Sequence, residues 1–479
     1  MVTSVWASNL VWMLLTLNWL IEGRWADKWQ RARESRLLHA FVVLYLLYVV
    51  GLLWSSNLSA GLSDLEVKIP LLIVPTLLLT TRPLTGKAWH AVLCLYSLAV
   101  LVVSIIGAVR LFSIPELPYR EAIPYISHIR FALNCCMALF LCFGVLTRKG
   151  PLLQRIVAAA VMLWLLVFLL LLRSYTAAVV ITVVSVVVVL TRYRRWYWIV
   201  LWVAVMLVAG LVIGREVKSY YELKPMAVEP LRPCTANGNP YSHAQDGLME
   251  CGNYINNYVC NEELNREWPR HSSMDLGELT PCGYTVGSTL LRYLNALDLP
   301  KDSMGIAQLT PQQVGEIESG VANPVCEHAS PVRKMVYVFL LEYEYGRHTH
   351  AVKGFSMLQR LELWSATLKV FVEHPWIGVG TGDVGDELHA QLRTQQSEIA
   401  DSGQSVHNQY LTFLVAFGII GCGLLVFMFC RAVPALHGQS TILVAWLLVI
   451  LISCISENTL GTLAGILFCS WFLAFRNKS

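Results

Sequence analysis

A histidine followed by two amides stands at the start of a long apolar run, in the segment SVHNQYLTFLVAFGIIG (405–421). Two arginines also stand beside apolar segments. Arg360 leads an amphipathic segment, and Arg173 interrupts an apolar stretch. A histidine such as His407 accepts a proton near neutral pH, and an arginine binds phosphate oxygens with a planar pair of N–H donors. One base with two or three guanidiniums suits the displacement of a lipid-linked diphosphate, a leaving group that needs charge neutralisation.

Each of these residues also has a plain structural explanation. Arg173 sits at a predicted helix end, where its long side chain could reach the interface instead of a cavity. His128 and Arg130, in SHIRFALNCCM at the outer end of a predicted span, fit interfacial anchoring at least as well as ligand binding. A lone boundary histidine such as His407 is more often an interfacial residue than a catalyst. The combination of these residues at one face of the bundle is what favours a site.

The sequence offers no metal site of the kind usual for this chemistry. It contains no D-x-D pair, and Asp383 and Asp386 have a different spacing. We therefore expect no metal and no other cofactor, with arginine neutralising the leaving diphosphate instead.

Arg360 leads a segment whose apolar residues recur at helical spacing as far as Pro375, which predicts a helix that ends there. The glycines of GVGTG (378–382) come next. We expect neither a strand before them nor a helix after them, so they do not fit a nucleotide-binding loop. We predict a tight turn that returns the chain to the membrane. The alternative is that its backbone amides contact phosphate.

The elements that must position these residues are membrane helices. Hydrophobic residues make up 56% of the chain and charged residues only 14%, against about 25% charged residues in globular domains. Eleven apolar runs have lengths near the 20 or so residues that cross a bilayer core. They lie near 4–21, 38–54, 66–81, 89–110, 124–146, 154–172, 174–191, 197–214, 408–430, 439–455 and 459–475. We predict an all-α polytopic membrane protein with about 11–12 transmembrane helices, whose first span is retained rather than cleaved.

Basic loops alternate with poorly charged loops along the chain, and this alternation orients the bundle. The basic segments placed in the cytoplasm are 23–36, 81–87, 147–155, 191–195 and 475–479. Arg173 and the polar stretch before His407 then lie outside the cytoplasm. We divide the chain into an N-terminal bundle (1–214), an external region (215–407) and C-terminal helices (408–479). The net charge of +4 is modest, and we expect membrane lipids, not nucleic acid, as partners.

The external region holds five of the thirteen cysteines: Cys234, Cys251, Cys260, Cys282 and Cys326. An oxidising compartment would permit up to two disulfides among them and leave one thiol over. Free buried thiols are the alternative. No C-x-x-C pair or ligand-spaced histidine accompanies them, which argues against zinc.

Two motifs follow each other in the second half of the chain. Arg360 and Trp364 lead into HPWIGVGTGD (374–383), and HNQYLTFLVAFGIIG (407–421) comes next. This order strongly resembles that of the O-antigen ligase and polymerase superfamily, closely over about 355–430 and more loosely over most of the chain. The resemblance implies a GT-C-like membrane enzyme. Such an enzyme transfers a glycan from undecaprenyl diphosphate on the periplasmic face of the bacterial inner membrane, without nucleotide or metal.

The resemblance also implies roles for individual residues. His407 matches the loop histidine of the family, and Arg360 matches its arginine ahead of a tryptophan. A further family arginine lies in an S-R-[TG]-A-like run, which reads RSYTA here, so that Tyr175 holds the motif position and Arg173 lies two residues earlier. We expect catalysis by His407, Arg360 and Arg173, and substrate contacts from Arg130, His128, Asn408, Trp364 and Tyr410.

The acceptor separates three reactions within the superfamily. A ligase uses a sugar hydroxyl of the lipid A-core, a polymerase uses another lipid-linked repeat, and a third branch, the protein O-oligosaccharyltransferases, uses a protein Ser or Thr. NWLIEGRW (18–25) and SENTLGTLAG (456–465) favour the ligase. A transporter of lipid-linked glycan is the distant alternative. A transporter would carry charged residues near the middle of the membrane and show an internal repeat, whereas we find the charges at the external ends and no repeat. Glu457 either positions the acceptor or solvates an exposed loop, and we favour the second.

Overall fold

The computed structural model describes residues 5–82, 86–114, 117–147, 150–190, 196–228, 230–244, 247–349, 352, 354–432, 441–471 and 473. The chain divides into two compact units, one formed by Met1–Val200 with Gln359–Ser479 and the other by Leu201–Leu358. The helices are α1 (Val5–Ile21), α2 (Trp25–Glu34), α3 (Arg36–Val50), α4 (Leu58–Thr80), α5 (Gly86–Ser113), α6 (His128–Thr147), α7 (Leu152–Leu171), α8 (Tyr175–Val188), α9 (Trp196–Tyr221), α10 (Asn261–Glu267), α11 (Val286–Ala296), α12 (Ser303–Ala307), α13 (Pro311–Glu318), α14 (Pro324–Glu327), α15 (Pro331–His348), α16 (Ser356–Glu373), α17 (Val384–Thr394), α18 (Gln409–Ala432), α19 (Thr441–Ser456) and α20 (Leu463–Trp471).

Apolar helices dominate the described part of the chain and confirm the predicted all-α polytopic membrane fold. The helices that are long and apolar enough to cross a bilayer are Arg36–Trp54, Ala88–Ser113, His128–Thr147, Leu152–Leu171, Ile199–Tyr221 and Gln409–Ala432. Shorter apolar helices cover Ser8–Ile21, Tyr175–Val188 and Ile442–Ser456. Each of these nine helices lies on one of the predicted spans.

The other two predicted spans look different. The run near 66–81 belongs to α4, a continuous helix despite Pro70 and Pro75, and Lys68 in it donates a hydrogen bond to Asp64. The run near 459–475 contains α20, which is only 9 residues long in the described part of the chain. The basic segments at 191–195 and 475–479 lie outside the described residues, so the orientation of the bundle stays a prediction.

Helix α6 lies at the centre of the first unit, where it packs against α7, α8 and α19. Its apolar residues from Phe131 to Met137 are almost completely buried, and the polar Asn134 among them is buried as well. Asn134 accepts a hydrogen bond from the Tyr96 hydroxyl at 2.8 Å and donates one to the Arg130 carbonyl at 2.9 Å. A buried amide is tolerated in an apolar core when its groups are paired in this way. The start of α6, which carries His128 and Arg130, is therefore firmly positioned.

The second unit contains most of α9, the helices α10 to α15 and a two-stranded antiparallel ribbon, β1 (Met249–Glu250) with β2 (Asn253–Tyr254). Trp268 and Tyr293 are completely buried in its core. Beside them, the Arg292 guanidinium makes two hydrogen bonds of 2.9 Å with the carboxylate of Glu250. A bidentate pair of this kind fixes the geometry of both side chains.

The predicted domains at 1–214, 215–407 and 408–479 stay a prediction, because the compact units do not locate the membrane. Residues 359–407 belong to the first compact unit, whereas most of the span Ile199–Tyr221 belongs to the second. Arg360 and His407 are thus both part of the first unit. All thirteen cysteines lie in the described part of the chain and are thiols in the structure, which favours the free-thiol alternative over disulfides.

Candidate active site

His407 lies two residues before the first residue of α18, Gln409, and has a left-handed backbone, at φ 51°. This conformation is uncommon for a residue with a side chain, and strained positions of this kind often occur at functional sites. The next residue, Asn408, caps the helix, because its side-chain oxygen accepts hydrogen bonds from the amides of Tyr410 at 3.0 Å and Leu411 at 3.1 Å. The cap fixes where α18 begins and leaves the histidine outside it.

Two further contacts hold the loop that carries His407. The indole of Trp364 on α16 donates to the carbonyl of Val406 at 3.1 Å. The side chain of Gln409 accepts from the amide of Leu460 at 2.8 Å. The three polar residues at the start of this span therefore have separate roles. Asn408 and Gln409 accept hydrogen bonds from backbone amides, whereas the side chain of His407 is partly exposed.

Glu457 joins His407 to Arg360. One carboxylate oxygen lies 2.8 Å from Arg360 Nη2, and the other lies 3.8 Å from His407 Nδ1. Glu457 is only 8% exposed, so our expectation of an exposed, solvated loop residue is wrong. Its neighbour Asn458 accepts a hydrogen bond from Thr412 of α18 at 2.8 Å, and this bond ties the segment to the start of that helix.

The start of α6 reaches the same carboxylate. Arg130 and Glu457 line a small cavity of about 10 Å³ together with Asn134 and Thr459, which is about the room that one water molecule needs. His128 interacts electrostatically with both Glu457 and Arg360. Two residues predicted from SHIRFALNCCM are thus brought to the Arg360–Glu457–His407 cluster.

Arg173 is linked to this cluster through aromatic contacts. Its backbone is left-handed, at φ 49°, and its guanidinium lies 5.2 Å from the centre of the Tyr119 ring. The Tyr119 ring in turn meets the His128 ring edge to face, with centroids 6.0 Å apart. At the start of α8, the Thr176 hydroxyl lies 3.3 Å from that of Ser456, the residue before Glu457. Arg173 therefore stands at the same end of the bundle as the cluster.

Two of the predicted substrate contacts already have protein partners for their polar atoms. The Tyr410 hydroxyl donates to the carbonyl of Leu451 at 2.8 Å, and the Trp364 indole is bonded to Val406 as described above. The ring of Tyr410 is 44% exposed, so it could offer a ligand an aromatic face but not a free hydroxyl.

The turn after α16 crosses a break in α18. At the break, Gly418 has φ 62° and ψ −168°. Across it, the amide of Val379 donates to the carbonyl of Val415 at 2.9 Å, and the amide of Gly380 donates to that of Ala416 at 3.1 Å. A β-carbon on Gly418 would lie 2.3 Å from the carbonyl oxygen of Trp376. The close approach of the two chain segments explains the glycine there.

The next two amides of the turn are bonded as well. The Thr381 amide donates to the carbonyl of Gly51 at 3.3 Å, and the Gly382 amide donates to the Ser55 hydroxyl at 2.9 Å. The predicted tight turn is present, but the alternative of phosphate contact is wrong for these four amides, since each already has an acceptor in the protein. A helix, α17, does follow the turn, contrary to our expectation.

Comparison with known proteins supports the assignment of this region. Residues 332–428 match the family model described as O-antigen ligase. No curated protein matches the chain significantly. The matched segment runs from α15 into α18 and contains Arg360, Trp364 and His407, whereas Arg130, Arg173 and Glu457 lie outside it. Members of this superfamily are glycosyltransferase-like enzymes that act on lipid-linked glycans. Over residues 332–428, the chain is thus similar to the O-antigen ligase family.

Proposed function

We propose that this protein is an O-antigen ligase. It transfers a polysaccharide from undecaprenyl diphosphate to a hydroxyl of the lipid A-core oligosaccharide, on the periplasmic face of the bacterial inner membrane. The observation that carries the proposal is the cluster of Arg360, Glu457 and His407, two of whose members lie in the segment that matches the family. A base and a guanidinium held by one carboxylate suit transfer from a diphosphate donor.

The reaction is a displacement with inversion at the anomeric carbon. The acceptor oxygen attacks that carbon and gives its proton to His407. The bond between the anomeric carbon and the diphosphate oxygen breaks, and the electron pair leaves with the diphosphate. Arg360 and Arg173, helped by Arg130, bind the diphosphate and neutralise the charge that develops on it. No metal or nucleotide takes part in this scheme.

The position of the cluster supports these roles. Arg360 is 23% exposed and His407 34% exposed by side chain, so both can reach a ligand from a partly covered position. A low local dielectric strengthens their interaction with a diphosphate. Arg173 supplies a second cation from the turn between α7 and α8, and a group with two phosphates needs more than one.

The test is transfer by the purified full-length protein in detergent. The donor is a glycan on undecaprenyl diphosphate, and the acceptor is lipid A-core oligosaccharide. We expect a covalent product and release of undecaprenyl diphosphate without added metal. If no covalent product forms in detergent, and the protein placed in vesicles moves the donor across the membrane, the transporter alternative holds instead.

A gene deletion separates the three acceptors. A ligase deletion should leave long polymer on the carrier lipid and rough lipopolysaccharide. Single repeats in place of polymer would identify a polymerase. Unaltered lipopolysaccharide with loss of glycan from proteins would identify a protein O-oligosaccharyltransferase.

A further inference from the structure

The carboxylate of Glu457 is shared unequally between its two partners. Its bond to Arg360, at 2.8 Å, is a full charge-assisted hydrogen bond. The distance to His407 Nδ1, at 3.8 Å, is too long for a hydrogen bond and leaves only a charge interaction. In the structure, the carboxylate is therefore hydrogen-bonded to Arg360, and the His407 imidazole is its next neighbour.

The surroundings make this carboxylate resemble a bound anion. It is buried at the small cavity that Arg130 also lines, and His128 interacts electrostatically with it from the same helix. Of the groups that interact with Glu457, Arg360 and Arg130 carry a positive charge, and His128 and His407 are imidazoles. An anionic ligand that binds Arg360 has to compete with this internal carboxylate.

We propose that Glu457 is a positioning residue that changes partners when the donor binds. This inference rests on the proposed function, because it takes the diphosphate of the donor as the competing anion. The diphosphate oxygens replace the carboxylate on the Arg360 guanidinium. The released carboxylate then moves about 1 Å, to hydrogen-bonding distance of His407 Nδ1.

The exchange prepares the histidine for its role as base. A carboxylate at Nδ1 holds the ring proton on that nitrogen and leaves the lone pair of Nε2 for the acceptor hydroxyl. When Nε2 takes the hydroxyl proton, the carboxylate stabilises the imidazolium that forms. Donor binding is thereby coupled to activation of the base, so the base is fully oriented only when a donor is present.

The competition gives a signature that a simple structural ion pair does not. Replacing Glu457 by Gln removes the competing charge from Arg360, so an anion should bind more tightly, by about tenfold for each 1.4 kcal/mol of competition removed. The same change removes the partner of His407, so turnover should fall by about 10²-fold, the low end of what a positioned base contributes. Tighter donor binding together with slower turnover is the expected pattern.

The experiment measures binding of inorganic diphosphate to the purified full-length protein in detergent by isothermal titration calorimetry. We expect Glu457→Gln to bind diphosphate about tenfold more tightly than the parent. The gain should disappear when Arg360→Lys is added. Glu362→Gln, which removes the same charge from α16 without a bond to Arg360, is the matched control and should bind as the parent does.

Equal or weaker diphosphate binding by Glu457→Gln overturns the inference, and so does an equal gain in Glu362→Gln or an absence of binding in every variant. If Glu457→Gln does not fold, Glu457→Asp serves instead, since its shorter carboxylate retracts from the guanidinium and should also tighten binding. The assay needs neither acceptor nor transfer. A parent that binds diphosphate but transfers no glycan would therefore refute the proposed function and leave the partner exchange standing.

In the transfer assay, Glu457→Gln should lower both kcat and the KM for the donor. A raised KM for the donor with an unchanged kcat would show that Glu457 helps to bind the donor, and would overturn the exchange.

Discussion

Replacing Asp383 by Ala should destabilise the first unit without removing a catalytic group. Asp383 ends the HPWIGVGTGD motif and is 6% exposed. Its carboxylate accepts hydrogen bonds from the amides of Ser56 at 2.6 Å and Asn57 at 2.7 Å, just before α4 begins. Bonds to a charged group contribute about 1.5–3 kcal/mol each, so the loss of both should lower the free energy of unfolding by about 3 kcal/mol or more.

The neighbouring Asp386 is the matched control for this prediction. It is exposed and accepts one hydrogen bond, from the Asn57 side chain at 2.8 Å. Because interactions of a solvent-exposed charge contribute little, Asp386→Ala should cost less than about 1 kcal/mol. Unfolding of the full-length protein in mixed micelles, followed by tryptophan fluorescence, measures both variants against the parent. Glycan transfer per folded molecule should be retained in Asp383→Ala. A parental unfolding midpoint for Asp383→Ala, or equal losses in the two variants, would refute the reasoning.

Three further predictions concern the cluster and the second unit. His407→Ala should lower turnover by about 10²–10⁴-fold while the protein still inserts, and a parental rate of glycan transfer would show that His407 is not the base. Arg360→Lys keeps the charge but loses the planar fork, so the KM for the donor should rise by at least about tenfold; equal donor use would argue against bidentate phosphate contact. Burial lowers the pKa of Lys301 to about 7, below the roughly 10.4 of an unfolded chain. Between these two pKa values the unfolded state binds more protons than the folded state, so the protein should be more stable at pH 9 than at pH 7. Lys301→Met should reduce this difference in stability, which thermal unfolding of the full chain measures at both pH values.

Much of the fold follows from local properties of the sequence. An apolar run of about 20 residues has few stable structures other than a membrane helix, because a bilayer cannot satisfy exposed backbone groups. The predicted spans therefore contain helices wherever they are described. The helix that starts near Arg360 was predicted to stop at Pro375, and α16 ends at Glu373, because proline cannot continue the hydrogen-bonding pattern.

The partners of the site residues were not predictable in the same way. Glu457 is separated from Arg360 by 97 positions, and no periodic pattern records such a pairing. The short polar segment around it looks like an exposed loop when only its composition is considered. One signal for the pairing was available in the sequence. Glu457 is a single glutamate between two apolar runs, at the same predicted level as several arginines, and a carboxylate near a membrane is costly unless it is paired.

The glycine turn shows why a motif and its role are different predictions. The spacing of Gly378, Gly380 and Gly382 correctly indicated a tight turn. The destination of the amides depends on which segments pack against the turn. In this protein the segments that pack against the turn are the break in α18 and the 3₁₀ helix Gly51–Trp54, with Ser55 after it. The motif therefore fixes the middle of α18 at its break, where its amides donate to the carbonyls of Val415 and Ala416.

The left-handed backbone at His407 allows the two roles of this residue to be separated. A non-glycine residue in this conformation carries a cost of about 1–2 kcal/mol, which Asn tolerates better than Ala because its short polar side chain can bond locally. His407→Asn should thus retain the loop geometry and the parental stability, whereas His407→Ala should be less stable by up to about 1 kcal/mol. Both variants lack the base and should show the same loss of turnover. If His407→Asn keeps substantial activity while His407→Ala does not, the backbone conformation, and not proton transfer, is what the reaction needs from this position.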